Sequence, residues 1–328
     1  MKIPSDVSGA SFDYVSRYQL TAEIINRYFD GSPKGRTILD VGGLGSLLST
    51  LLPESPLTIF DSETEEISKN QQKGDGAHMS SIKKDSYDAV VSSDTLEHIP
   101  RKDRKSFIGE LIRVSNDLVV ICAPFADHGA AAEEAALQEF YVQTNGAKHR
   151  WLEEHSEFQL PQEKEIMKYF EANNVSAIVI NHSSIKLWRT LLSINLLSSA
   201  MKSPDVDQKT SDINHFYNQN LMFSDFAVDS YRTFIVASKR RKIAYKTPSK
   251  SVAPDDYIRL LQLVTDFYSE VFSRHEAIPV IGDLVASNTE LANKVDQLSI
   301  EKNNIVNSKT WRYTKPIRGI VKQTRRSK

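Results

Sequence analysis

Short, mostly apolar runs separated by stretches of helical character set the strongest limit on what this chain can fold into. Runs at 37–41, 57–61, 87–91 and 118–122 are each five residues long and largely apolar. Such runs suit strands of a parallel sheet covered on both faces. Ahead of them 12–30 carries a helical pattern ending in the stop cluster Asp30-Gly31-Ser32-Pro33, and between them 47–52 and 104–114 do so as well. Strand and helix in alternation predict a doubly wound α/β domain, Rossmann-like in class. A later pair of runs, 177–180 and 231–238, is placed to complete the sheet.

Composition narrows the class further. The 328 residues are 40% apolar and 25% charged, which is ordinary for one or two globular domains and excludes a mostly disordered chain. Net charge is -1, so nucleic acid is not an expected partner. The average hides an asymmetry: 308–328 holds eight basic residues and no acid, leaving 33 basic against 42 acidic groups in the rest. The single cysteine, Cys122, allows no intramolecular disulfide and no four-cysteine zinc site. No run of 18 apolar residues exists, and Met1 to Ser11 lacks a signal-peptide core, so a cytoplasmic protein without a transmembrane segment is expected.

The domain reading is 1–240 for the α/β domain with an irregular insertion at 124–161, a linker at 241–253, a helical region at 254–307 and a basic tail at 308–328. Within the third part, 254–275 presents one apolar face, and a heptad follows with Leu284, Leu291, Leu298 and Ile305 at d. That heptad fits a two-stranded coiled coil, and hence a homodimer, or a helix packed on its own domain. The apolar stretch 185–201 fits either a helix buried against the sheet or a face meeting an acceptor or membrane.

The chemistry starts at the end of the first run, Ile38-Leu39-Asp40-Val41-Gly42-Gly43-Leu44-Gly45-Ser46. Glycines at a strand–helix turn let the backbone approach a ligand closely. A dinucleotide fingerprint would need a third glycine where Leu48 stands, and a carboxylate at Asp40 would face the pyrophosphate. A cationic or zwitterionic ligand tolerates Asp40 well.

With Asp61 closing the second run, Asp75 in Gly74-Asp75-Gly76 and the segment 86–100 ending Asp94-Thr95-Leu96-Glu97-His98-Ile99-Pro100, the chain resembles the class I S-adenosylmethionine-dependent methyltransferases over roughly residues 10 to 240. The resemblance implies S-adenosylmethionine as cofactor, held by Arg17, Asp40, Gly42, Gly43, Gly45, Asp61, Asp75, Gly76 and Asp94. Asp61 would take the ribose hydroxyls and Asp75 the adenine amino group. The family usually places glycines at 42, 44 and 46, whereas this chain has them at 42, 43 and 45.

Further segments look like methyltransferases of bacterial cell-surface polysaccharide pathways: His149-Arg150-Trp151-Leu152-Glu153-Glu154-His155 with Gln159-Leu160-Pro161, Asp229-Ser230-Tyr231-Arg232-Thr233 as their late strand, Arg17-Tyr18 in their N-terminal helix, and the ending Ser308 to Arg318. Gln159 stands where that pattern has Gly. The resemblance implies a glycan or lipid-linked glycan acceptor, methylated at a sugar hydroxyl or chain-end phosphate. Polysaccharide-synthesis proteins at the C-terminal helix and a peripheral site at the inner membrane face go with it. A sugar hydroxyl needs a general base, and His98 and His155 are the candidates, with His149 behind them. No metal is expected, because the His and acidic residues of 127–155 lack a recognisable ligand spacing. Two other readings are carried: an inert methyltransferase-like assembly subunit, and a methyltransferase acting on a quinone-like small molecule.

Overall fold

A computed structural model describes residues 7–65, 68–245, 247 and 253–274 of the chain. Seven strands form one sheet in the order β3-β2-β1-β4-β5-β7-β6. They are β1 (Ile38–Val41), β2 (Leu57–Asp61), β3 (Gln71–Lys73), β4 (Tyr87–Ser93), β5 (Ser115–Pro124), β6 (Ser176–Ser184) and β7 (Ser230–Ser238). The first five run parallel, and β7 is antiparallel to both its neighbours. Strands β1 and β7 are buried along their whole length, which is why their apolar residues do not alternate with exposed ones; Asp40 and Arg232 are the buried charges within them.

The helices are α1 (Phe12–Tyr28), α2 (Leu48–Leu51), α3 (Arg104–Val114), α4 (Ala130–Asn145), α5 (Arg150–Phe158), α6 (Glu163–Ala172), α7 (Ile185–Met201), α8 (Pro204–Phe216) and α9 (Pro254–Ser273). Phe107, Leu111 and Val114 of α3 and Ile166 and Phe170 of α6 share one buried cluster with Leu39, Val41, Val90, Val119, Ile121 and Ile235. Those strand residues fall at alternate positions, so α3 and α6 cover one face of the sheet. Helix α1 meets β4 and β5 outside that cluster, so the sheet is clad on both sides.

Several expectations change on folding. The excursion after β5, expected to be irregular, is helical: α4 and α5 occupy most of it. Helix α4 buries only Ala130, Glu134 and Leu137 and so leaves no apolar stripe to read. Helix α7 buries Trp188, Leu191, Ile194 and Leu197 against its neighbours, which is the packed-helix alternative for 185–201. Helix α9 packs on α8 through Leu260, Leu263, Phe267 and Val271, and the compact unit runs from Met1 to Ser273. The heptad and the basic tail lie outside the described residues. Among the described residues, no helix is long and apolar enough to cross a membrane.

Candidate functional site

The turn after β1 is shaped by its glycines. Gly42 has φ +78°, and a Cβ there would stand 2.2 Å from Thr95 Oγ1. A Cβ on Gly43 would stand 2.3 Å from Asp40 Cγ, so this glycine is needed for close approach to the carboxylate beneath it. Gly45 has φ +83° with open space around it. Asp61, at the end of β2, spans this turn: its Oδ2 accepts from the Leu44 amide at 3.2 Å and its Oδ1 from the Glu63 amide at 2.8 Å.

Asp40 is fully buried, and the Ser46 hydroxyl is the donor beside its carboxylate, which has no well-formed hydrogen bond. Burial pushes its pKa up to about 6, while the nearby Ser46 hydroxyl and the Arg17 charge draw it back. A buried carboxylate without a well-formed hydrogen bond costs stability unless something bound supplies charge or donors.

Beside the turn lies a cleft of about 600 Å³. Of the residues the sequence pointed to, Arg17, Gly42, Asp61, Asp75, Gly76, Asp94, His98, His149 and His155 line it. Asp40, Gly43 and Gly45 lie in or under the turn rather than on the cleft wall. Asp75 is solvent-exposed, its Oδ1 accepting from the Ala77 amide and its Oδ2 meeting His78 Nδ1 at 2.9 Å. The His78 contact, with the Ala77 amide, holds its pKa below the usual carboxylate range.

Arg17 and Asp94 belong to a buried ion network. Arg17 donates to Asp94 Oδ2 at 2.5 Å, and Arg232 donates to Asp94 Oδ1 at 2.9 Å and also to Asp94 Oδ2. Arg232 further grips Asp13 in bidentate fashion at 2.9 and 3.1 Å. Burial would raise the Asp94 pKa, but the two guanidinium groups pull it far below its ordinary value. Trp188 of α7 donates to Asp13 Oδ1 at 2.9 Å and stacks on Tyr231, with centroids 3.3 Å apart. This network forms the wall where α1, β4 and β7 converge. Sequence reasoning gave neither Asp13 nor Arg232 a role in the site, although Arg232 lies in the segment 229–233 that resembles the late strand of the polysaccharide-pathway methyltransferases and stands as a charged residue in a largely apolar strand.

At the end of the cleft α5 closes over the turn 96–98. His98 Nε2 and His155 Nε2 face each other at 3.3 Å. His98 Nδ1 meets Glu154 Oε2 at 2.9 Å, and His155 Nδ1 meets Glu134 Oε1, also at 2.9 Å. Glu134 in turn accepts from the Tyr231 hydroxyl at 2.7 Å. Glu97 is 1% exposed, and its Oε2 has no hydrogen-bond partner. Burial, with Asp94 next, pushes the Glu97 pKa up to about 8. Burial and the neighbouring His155 lower the His98 pKa. For His155 burial is outweighed by Glu134, Glu97 and Asp94, so its pKa rises.

The two candidate bases are therefore one pair, with one ring nitrogen of each tied to a carboxylate. Glu97, Glu134 and Glu154 carried no role in the sequence reading. His149 sits apart, its ring edge-on to Tyr141 at 4.9 Å. Trp151 stands at the cleft mouth, 43% exposed, between the Arg150 guanidinium and the His98 ring. Gln159 holds φ +60° at the end of α5, a region that favours glycine, and its carbonyl accepts from Arg104.

No family model matches the chain, and no curated protein matches it. Among solved structures it is similar to a SAM-dependent methyltransferase from Archaeoglobus fulgidus, at 15% identity over 68% of this chain and 94% of that one, TM-score 0.38. It is also similar to magnesium protoporphyrin IX methyltransferase from Synechocystis, with bound SAH, at 12% identity over 73% and 89% of the two chains, TM-score 0.40. A third likeness is to a putative methyltransferase from an antibiotic biosynthesis pathway of Anabaena variabilis, at 14% identity over 67% and 98%, TM-score 0.41.

Proposed function

We propose that this chain is a methyltransferase that uses S-adenosylmethionine to methylate a hydroxyl oxygen of a surface glycan or lipid-linked glycan. The observation that carries the reading is Asp40: a fully buried carboxylate without a well-formed hydrogen bond, lying directly under the glycine turn beside the cleft. A ligand bearing positive charge and an ammonium donor suits that position, and a pyrophosphate does not. Asp61 faces the same cleft for a pair of ribose hydroxyls. Asp75 and Gly76, both on the cleft lining, offer an edge for an adenine.

When bound, S-adenosylmethionine supplies an activated methyl group on a sulfonium. The chain's own task is to align the acceptor oxygen with that group and to exclude water. The Arg17–Asp94–Arg232 network fixes one wall, and α5 with His98 and His155 marks the acceptor end. A glycan acceptor is supported by the likeness of 149–161 and of the tail to polysaccharide-pathway methyltransferases, and by Trp151, whose half-exposed ring offers a flat face to a sugar.

Calorimetric titration of the full chain with S-adenosylmethionine and S-adenosylhomocysteine tests the cofactor step. We expect saturable binding of both, weakened at least tenfold by Asp61→Ala. Absence of binding by the unaltered chain would overturn the reading in favour of an assembly subunit. Turnover on a quinone-like phenol but on no glycan would overturn its acceptor half.

A further inference from the structure

The arrangement at the acceptor end does more than supply a base. Two imidazole nitrogens, His98 Nε2 and His155 Nε2, face each other at 3.3 Å, within hydrogen-bond distance, in a site that is largely buried. Each ring is held at its other nitrogen by a carboxylate, Glu154 for His98 and Glu134 for His155. A neutral ring that donates Nδ1–H to a carboxylate presents a lone pair at Nε2, so once the proton between them is lost two lone pairs point at one spot. Beside them Glu97 brings a buried carboxylate oxygen with no partner. One ligand atom from each of Glu97, His98 and His155 lies within 4.8 Å of the other two. Without an ion the cluster is satisfied only by protons, one between the two ring nitrogens and one on Glu97; a divalent cation would displace both and take all three groups as ligands.

We infer that Glu97, His98 and His155 form a binding site for a divalent first-row cation. Two nitrogens 3.3 Å apart, each ~2.1 Å from one ion, subtend about 100° at the metal, which fits a tetrahedral or octahedral shell. Two imidazoles and one carboxylate favour manganese, iron, cobalt or zinc over calcium, which prefers an all-oxygen cage. The Glu154–His98 and Glu134–His155 bonds are the outer-shell contacts that orient metal-ligating histidines, and Tyr231 fixes Glu134 in turn. Three protein ligands leave positions open, and all three residues line the cleft. A hydroxyl joining that shell is held in place and made more acidic. Cation binding itself stands without the methyl-transfer reading; only its service to an acceptor oxygen rests on it.

Cobalt(II) is the probe, because its ligand-field absorption reports coordination directly. Full-length protein freed of metal by chelator and dialysis should take up one equivalent of cobalt(II) with a visible band. Glu97→Gln keeps the side-chain shape and removes only the anionic ligand, and it should weaken uptake at least tenfold. Glu154→Gln, in the half-exposed outer shell, should weaken it about 10- to 100-fold. Circular dichroism confirms that each variant is folded. No band at millimolar cobalt, or a band unchanged by Glu97→Gln, would overturn the site and leave a shared proton between the histidines. Calorimetry with S-adenosylmethionine on the metal-free protein separates the two claims. Cobalt uptake without cofactor binding overturns the proposed function alone, and the reverse result overturns the cation site alone.

Discussion

Asp40 is the residue at which stability and function pull against each other. Its carboxyl titrates near 3.8 in the unfolded chain and at about 6 in the folded one, because burial disfavours the anion. The folded state therefore binds the proton more tightly, so Asp40 favours folding below pH 4. That contribution is lost as pH rises through 6. The difference corresponds to about 3 kcal/mol between the two limits. Asp40→Asn is expected to raise the unfolding free energy at pH 7.5 by an amount of that order and to change little at pH 4. The same variant should lose S-adenosylmethionine binding, because the amide no longer offers an anion under the glycine turn. Urea unfolding at the two pH values and a calorimetric titration check both halves; equal stability gain at both pH values would show that the anion is not what the site strains to hold.

At the scale of elements, what could be read from the chain was what is local. Strands β1, β2, β4 and β5 announced themselves as apolar runs, and α3 fell on the residues expected. Strand β3 did not, because Gln71-Gln72-Lys73 is a polar edge of three residues with nothing apolar to repeat. The glycine turn and Asp61 were legible for the same reason: one strand and one loop set their geometry. The rest of the site joins residues far apart in sequence, His98 with His155 across 57 positions and Asp13 with Arg232 across 219, and no local pattern encodes such pairs. Helix α7 shows how a composition signal resolves only on packing. Trp188 is buried, stacked on Tyr231 and bonded to Asp13, so it links α7 to the wall of the cleft. Trp188→Ala should cost about 3–5 kcal/mol in chemical denaturation. Arg189→Ala, on the exposed side one position along, should change stability by less than about 1 kcal/mol. Equal small effects would mean that the helix face is held elsewhere.

At the scale of the whole molecule the dominant feature is the separation of charge along the chain: eight basic residues in 308–328 against a net excess of nine acids in the remainder. A uniformly neutral protein of the same composition would have no reason to choose one kind of surface. Here a basic segment near an anionic bilayer gains about 1 kcal/mol per Lys or Arg, while acidic groups farther away than the ~10 Å screening length at 0.1 M salt oppose it weakly. The full chain is therefore expected to co-sediment with phosphatidylglycerol vesicles at low salt, to release as salt rises, and to ignore phosphatidylcholine vesicles. Deleting 308–328 should abolish the sedimentation. Because the compact unit ends at Ser273, the same deletion should leave the melting temperature and S-adenosylmethionine affinity unchanged. If the shortened protein still bound anionic vesicles, the contact would belong to the folded body, where the net charge is of the wrong sign to attract it and apolar burial would have to supply the energy. Salt dependence distinguishes the two, since attraction through the tail weakens with ionic strength and apolar insertion does not.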